Sequence, residues 1–465
     1  MEPPPEPQIT EQLAEFVAGL RYSDLPDEVV GKSVDLMLDA VGCALAGWQA
    51  QEITAVVALG RQLGTSTTST LIGSAERSSL LGAALTNGYL TTGITACDVY
   101  GPAHFHVTPE VIPAALGVAE SVHATGEQLV TAIAAGLEVA CRVARSLDNL
   151  EFRRRGWHAP GVVGPIGAAA AAAKLLQLDA AGTRRALALA FSQSSGTFAS
   201  WPTIAVKFHQ ARGAGSGVIA ALLAREGLEA AKEPLAANDG GLYASYGPGN
   251  ADNVVEEIGG QWELLNISVR LWPGATPIQA LLTALLDDPG PALPSAEEIE
   301  SVTIRVAPRT YESHSALAHP TSTFEALLSF HFVCAAVLDT GYFWTDLVGP
   351  GGYDNSRTHE IAAKKIELVA DSSVPMGGVA VDIIGTDGVE LNLRCDAALG
   401  TPARPADGRK LHEKFMKGAR ASLSDVAATQ LLEALKCPQQ YRDAAELTAQ
   451  MQPRRASTEY RSADA

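Results

Sequence analysis

The chain has 465 residues, 47% hydrophobic and 18% charged. That is enough for two or three folding units with large buried cores, and it excludes both a disordered chain and a disulfide-stapled mini-protein. Against 34 Lys and Arg stand 52 Asp and Glu, a net charge of −18, so a nucleic-acid backbone has no broad basic surface to meet. Any positive charge used on an anionic ligand must be concentrated in a few pocket residues.

The cysteines Cys43, Cys97, Cys141, Cys334, Cys395 and Cys437 lie far apart with no CxxC pair, which reads as reduced and mostly buried thiols. No basic-then-apolar leader opens the chain, and no run approaches the ~18 apolar residues of a membrane span. The expectation is a soluble cytoplasmic protein without nucleic-acid or membrane partners.

After the proline-rich residues 1–7, Thr10 is a predicted N-cap, with Leu13, Phe16, Val17 and Leu20 on one helical face. Residues 29–45 predict a helix closed by Gly42 and Gly47, and further helices are expected over 109–122 and 129–144. The run Ala168 to Ala173 supplies small side chains that let helices approach closely. Helices over 183–192 and 213–225 follow. The second is approached through Gly213-Ala214-Gly215-Ser216-Gly217, read as close packing or as an anion cradle.

Near residue 265 the texture changes. Val302, Ile304 and Val306 alternate with polar neighbours, and 379–384 and 389–393 flank Asp387-Gly388 as a hairpin with a type I′ turn. Residues 287–294 read as a loop and 324–338 as one apolar helix. From Asp407 helical periodicity returns through Leu411, Phe415, Leu423, Leu431 and Leu435, and the tail from Arg454 is polar and frayed. The fold class is mainly α: an all-helical domain of residues 1–264 and 405–465, interrupted by an α+β unit of residues 265–404.

Three stretches carry chemistry. Asp98, Tyr100, His104 and His106 share a loop punctuated by Gly101 and Pro102 just before a helix, where side chains can converge on a ligand. The two imidazoles also fit a capping or surface role, and His-x-His fits a metal, for which no second ligand cluster is evident. Arg153-Arg154-Arg155-Gly156-Trp157-His158 offers His158 as a general acid or base whose pKa burial would lower, while the arginine run suits a solvated face or a subunit contact. Lys207, His209 and Arg212 precede a predicted helix N-terminus, a combination suited to a carboxylate.

His123, His314, His319, His331, His359 and His412 lack such company and read as structural. Ser194-Ser195-Gly196 has no GxSxG elbow, and neither GxGxxG nor GxxxxGK[ST] occurs in the required context. Serine-hydrolase chemistry and nucleotide cofactors are not indicated.

Taken in order, these stretches resemble the MmgE/PrpD family. The resemblance runs nearly end to end, through Leu25-Pro26, Asp39-Ala40-Val41-Gly42, His106 with Ile112-Pro113-Ala114-Ala115-Leu116, Thr125-Gly126-Glu127, Arg155-Gly156-Trp157-His158, Lys207-Phe208-His209 and Lys414-Phe415. It implies a cofactor-free helical domain with an inserted α+β lid, a homodimer, and an active site between lid and body. Family members move a proton next to a carboxylate of a small di- or tricarboxylate, with loss of water or carbon dioxide or with epimerisation.

By resemblance His106 and His158 form the proton relay, Lys207 and Tyr100 join them as catalytic groups, and Asp98, His104, His209 and Arg270 bind substrate. The chain departs from the family where an Asp-aromatic-Asp-Asp-Thr run becomes Ala96-Cys97-Asp98-Val99-Tyr100. It departs again where a lid Lys-Pro-Tyr-Pro…His stretch becomes Ser268-Val269-Arg270-Leu271-Trp272-Pro273, shortened and without the histidine. Lys207 stands one residue closer to His209 than the family spacing. The expected function is a lyase, dehydratase or decarboxylase in type, acting on a small carboxylated substrate; the alternatives are an isomerase, epimerase or cyclase using the same relay, and a non-catalytic binding homolog.

Overall fold

The computed structural model describes residues 8–50, 52–201, 203–287, 293–349 and 351–453. The proline-rich residues 1–7, most of the 287–294 loop and the polar tail from 454 lie outside the described residues. Helices dominate, and the largest sheet has four strands.

A helix can run through the middle of a protein only if every face is apolar and its neighbours can come close. Ala159–Leu175 meets that condition, since Lys174 is its one residue that is not buried. Phe208–Arg225, Gly126–Ser146, Thr108–Val122 and Ala180–Phe191 pack around it. A Cβ on Gly217 would lie 2.4 Å from the Ala168 side chain, and one on Gly136 would lie 2.8 Å from the Gly167 carbonyl oxygen. The glycines therefore set the helix spacing. Because the helix already begins at Phe208, the stretch Gly213 to Gly217 is interior to it, so it packs and does not cradle an anion.

Two other helix ends differ from expectation. Ile9–Gly19 starts with Gln8 at the N-cap, while Thr10 is buried and donates its hydroxyl (2.6 Å) and amide (2.9 Å) to Glu233. Asp27–Ala46 runs through Gly42, whose missing Cβ leaves room for Phe415 at 3.1 Å, and ends at Gly47.

In the sheet the strands lie in the order Ile366–Ala370, Ile299–Val306, Val379–Gly385, Glu390–Cys395, the first pair parallel and the others antiparallel. Helices Ile278–Leu286 and Phe330–Thr340 pack on it and cover Val379, Val381 and Ile383. The hairpin loop is longer than expected. A type I′ turn needs positive φ at both central residues, but only Gly388 (φ 80°) has it, and its amide closes back on the Gly385 carbonyl. The expected helix over 324–338 is two helices, Thr323–Ala326 and Phe330–Thr340, because the Ser329 hydroxyl caps the second by accepting from the Phe332 amide at 3.1 Å. Strand Ile267–Ser268 pairs with Val99–Tyr100 and ties this region to the helical body.

Two buried charged groups matter for stability. Lys414, on the helix Gly408–Ala419, forms an ion pair with Asp39 in full burial, and its Nζ also donates to the Ala96 carbonyl at 2.7 Å. Glu110 is wholly buried, with neither carboxyl oxygen hydrogen-bonded to any described residue, and its side chain fills the space that Gly164 and Gly213 leave open. Burial, then the charges of Asp98 and Cys97, push its pKa well above the ordinary range, so it is held as a neutral acid.

Lys414→Met leaves Asp39 buried without its counter-ion and is expected to cost about 3–5 kcal/mol in denaturant unfolding. A loss under about 1 kcal/mol would show that the pair bears little of the fold. For Glu110 the folded pKa is raised, so its contribution is whole below the unfolded pKa and is lost as pH rises toward the folded value. Glu110→Gln is therefore expected to raise the melting temperature more at pH 8 than at pH 5. An equal effect at both would contradict the neutral buried acid.

Candidate active site

A cavity of about 450 Å³ opens between the helical body and the region after residue 265. Body residues from Thr92 to Gln210 form most of its wall, and Arg270, Arg309 and Phe324 close it from the other side. Four cations, Arg153, Lys207, Arg270 and Arg309, and three imidazoles, His104, His106 and His158, line it, and no described lining residue is Asp or Glu. The N-terminal ends of two helices add to the positive field. Ala159 begins one, Gln210 is in the first turn of the other, and both touch the cavity.

One short stretch orients the charged groups. Helix Leu80–Gly93 ends and Thr95 turns the chain at φ 57°, a left-handed conformation that strains a β-branched residue. Beyond it, consecutive carbonyls face outward as acceptors. Lys414 Nζ donates to Ala96 O (2.7 Å), Arg270 Nε to Cys97 O (2.7 Å) and His106 Nδ1 to Asp98 O (2.6 Å). Lys207 Nζ donates to the Gly93 carbonyl one turn earlier, and the Gly274 amide donates to Thr95 O at 3.0 Å.

A carbonyl can only accept, so His106 carries its proton on Nδ1 and is left with a free Nε2. Burial, reinforced by Arg270, lowers its pKa to about 4. His158 stands at the N-cap position of helix Ala159–Leu175, and its Nδ1 lies 2.9 Å from His209 Nδ1, so one proton bridges two imidazoles. Burial, then His209, His106 and Arg153, hold the His158 pKa well below the ordinary value. Lys207 is 4% exposed, and burial brings its pKa down to about 7. Arg270 is equally buried, and all its contacts are neutral: Cys97 O, Gly274 O (2.9 Å) and Cys97 Sγ (3.2 Å).

His104, His106, His158, Lys207 and Arg270 thus meet at one cavity. Three residues expected there do not line it. The Tyr100 hydroxyl donates to Glu263 in the core, where burial raises its pKa, so it ties strand Val99–Tyr100 to the helical turn before Ile267–Ser268 and does not face the cavity. Asp98 is fully buried, and its carboxylate accepts from the Val107 amide (2.9 Å), the Thr108 amide (3.0 Å) and the Thr108 hydroxyl. It caps Thr108–Val122 and leaves no oxygen for substrate. His209 stands behind His158 and reaches the cavity only through it.

Sequence reasoning missed Arg309 and Gln210, and it gave the arginine run that includes Arg153 to a solvated face or a subunit contact. Arg153 in fact stacks its guanidinium 3.2 Å from the centre of the Phe198 ring. Gln210 is 3% exposed, with a side-chain oxygen that has no partner among the described residues. An isolated arginine after a strand carries no signal of its own, but Gln210 beside Lys207 and His209 did. Among the described residues no group of three or more His, Cys, Asp or Glu is arranged to hold a metal ion.

In the free protein the His106 imidazole is expected to titrate near pH 4, and citrate is expected to move that midpoint upward by placing negative charge beside it. Histidine-selective NMR reads both values. A midpoint near the ordinary ~6.5 without ligand would contradict a dry, cationic surrounding.

Residues 11–253 match the MmgE/PrpD N-terminal domain and residues 276–439 the MmgE/PrpD C-terminal domain. The cis-aconitate decarboxylase of Mus musculus is 27% identical over 446 residues, covering 92% of this chain and 89% of its own. That of Homo sapiens is 26% identical over 463 residues, covering 95% and 94%. The cis-aconitate decarboxylase-like protein oryM of Aspergillus oryzae is 29% identical over 287 residues, 57% of this chain and 58% of its own length. With the two family domains matched in order and the cavity between them, the chain belongs to the MmgE/PrpD family, as an enzyme of the lyase type.

Proposed function

We propose that this enzyme is a cofactor-independent decarboxylase acting on an unsaturated tricarboxylate of the cis-aconitate type by histidine-mediated proton transfer. The observation that carries this reading is the cavity itself: four cations and three imidazoles without one lining carboxylate, in a chain of net charge −18. The names of the mouse and human relatives support the choice of decarboxylation within the family.

In such a substrate the leaving carboxylate sits on the saturated carbon beside the double bond. The bond to that carboxylate breaks and carbon dioxide leaves. Its electron pair forms the new double bond, the old double bond's electrons move to the far carbon, and that carbon takes one proton. A trianion and one proton give a dianion and carbon dioxide.

The proton must come from a group that becomes protonated when the substrate binds. His106 suits this role, because its Nε2 is free and its pKa is held down by desolvation and by Arg270. An arriving trianion opposes both effects, and the resulting Nε2–H is the donor to carbon. His158, backed by His209, is the second proton-exchanging group. Arg270 and Lys207 hold the carboxylates and stabilise the charge that spreads onto them as the bond breaks.

Incubation with cis-aconitate in D₂O is expected to release carbon dioxide and to leave a five-carbon dicarboxylate with one carbon-bound deuterium, read by mass spectrometry. His106→Gln is expected to lower kcat by about 10²–10⁴-fold. Lys207 loses its charge above about 7, so kcat/KM is expected to fall as pH rises through that value. Hydration, dehydration or epimerisation without carbon dioxide would overturn the decarboxylase reading, and an unchanged kcat in His106→Gln would overturn the assigned donor.

A further inference from the structure

Three of the residues that line the cavity are aromatic and adjoin one another. Phe198, Trp201 and Phe324 form a row, with ring centres 5.5 Å apart in the first pair and 5.2 Å in the second. The row begins at Phe198, whose ring centre is 5.8 Å from that of His158, and ends at Phe324, whose ring centre is 5.7 Å from Lys207 Nζ. It is continuous with the cation cluster at both ends. Trp201 is 38% exposed, so the row reaches the mouth of the cavity.

Every carbon of an unsubstituted six-carbon tricarboxylate either is a carboxylate or adjoins one, so such a molecule has little apolar surface to set against three rings. The volume points the same way. About 450 Å³ falls in the range of roughly 300–1,000 Å³ that holds drug-sized ligands. Of the three rings Phe324 is buried and Phe198 already has the Arg153 guanidinium on one face, so Trp201 is the open part of the row, and its apolar surface gains free energy when an apolar group covers it.

We infer that the substrate of this enzyme carries an apolar chain of several carbons, which lies along Phe198, Trp201 and Phe324 while its carboxylates face Lys207, Arg270 and the two imidazoles. This rests on the decarboxylase reading for the charged end only. The chain sits on the saturated carbon, where it does not alter the electron count of the reaction.

The test compares cis-aconitate with its homolog bearing a butyl chain on the saturated carbon, by calorimetric Kd and by carbon dioxide release. The butyl compound is expected to bind at least about 10-fold more tightly. Trp201→Ala and Phe324→Leu are each expected to reduce that ratio severalfold, and Trp201, being exposed, can be changed without opening the core. Equal or weaker binding of the butyl compound would overturn the inference, and so would a ratio that survives both substitutions. Tighter binding of the butyl compound with no carbon dioxide from either would uphold the inference and remove the decarboxylase reading. Carbon dioxide from cis-aconitate with rejection of the butyl compound would do the reverse. Binding of neither would overturn both.

Discussion

The carbonyls of residues 93–98 are the feature on which the site depends. Lys207, Lys414, Arg270 and His106 come from four separated places in the chain, and all four donate to this one stretch. Such a convergence is possible only where the backbone does not use its own acceptors. The strained turn at Thr95 provides this by ending one helix and turning the following carbonyls away from any regular partner. A strained residue of this kind costs of order 1–3 kcal/mol, which the four hydrogen-bond donors offset. The helical body, the segment after the paired strand Ile267–Ser268 and the late helix Gly408–Ala419 are thus fixed to one another at the place where the cavity forms.

Buried cations are usually held by carboxylates, and two of the most buried cations among the described residues follow that rule. Arg142 is paired with Glu138 and Lys414 with Asp39. The cavity departs from it. Arg270 and Lys207 are as buried as those residues, yet their partners are carbonyl oxygens and a thiol, which carry partial charge only. A carbonyl can orient a guanidinium without neutralising it. The positive charge is left unbalanced, and the depressed pKa values of His106, His158 and Lys207 all reflect their removal from water into this surrounding. A polyanion in the cavity would relieve an electrostatic strain that folding builds in.

Much of this was legible in the sequence, and the failures have physical reasons. Helical periodicity and the shift to alternation near residue 300 identify a mainly α chain with strands late in its length. The clusters around His106, His158 and Lys207 stand out because several polar groups share each short loop. Side-chain direction was not legible. Asp98 and Tyr100 flank Val99 on the same loop as His106, but strand pairing with Ile267–Ser268 turns Tyr100 into the core, and the proximity of the Thr108 amide turns Asp98 into a helix cap. Helix breaks set by a single cap, as at Ser329, are invisible when both sides are equally apolar. Arg309 is brought to the cavity by the tertiary fold alone.

The departures from the family pattern become intelligible from the same geometry. Where the family run carries acids on either side of the residue equivalent to Asp98, this chain has Ala96 and Val99, both buried, and Tyr100 stands in place of the threonine, paired with Ile267. An acid at Ala96 or Val99 would be cut off from water, at a cost to its charged form. The loss of acids in this stretch and the lack of a carboxylate among the described lining residues have one effect: no described acid in the cavity pairs with its cations. Arg270 occupies the stretch where the family lid has a Lys-Pro-Tyr-Pro run, and an arginine there has enough donors to grip two carbonyls and still present its charge to the cavity, which an ammonium group does with less fixed geometry.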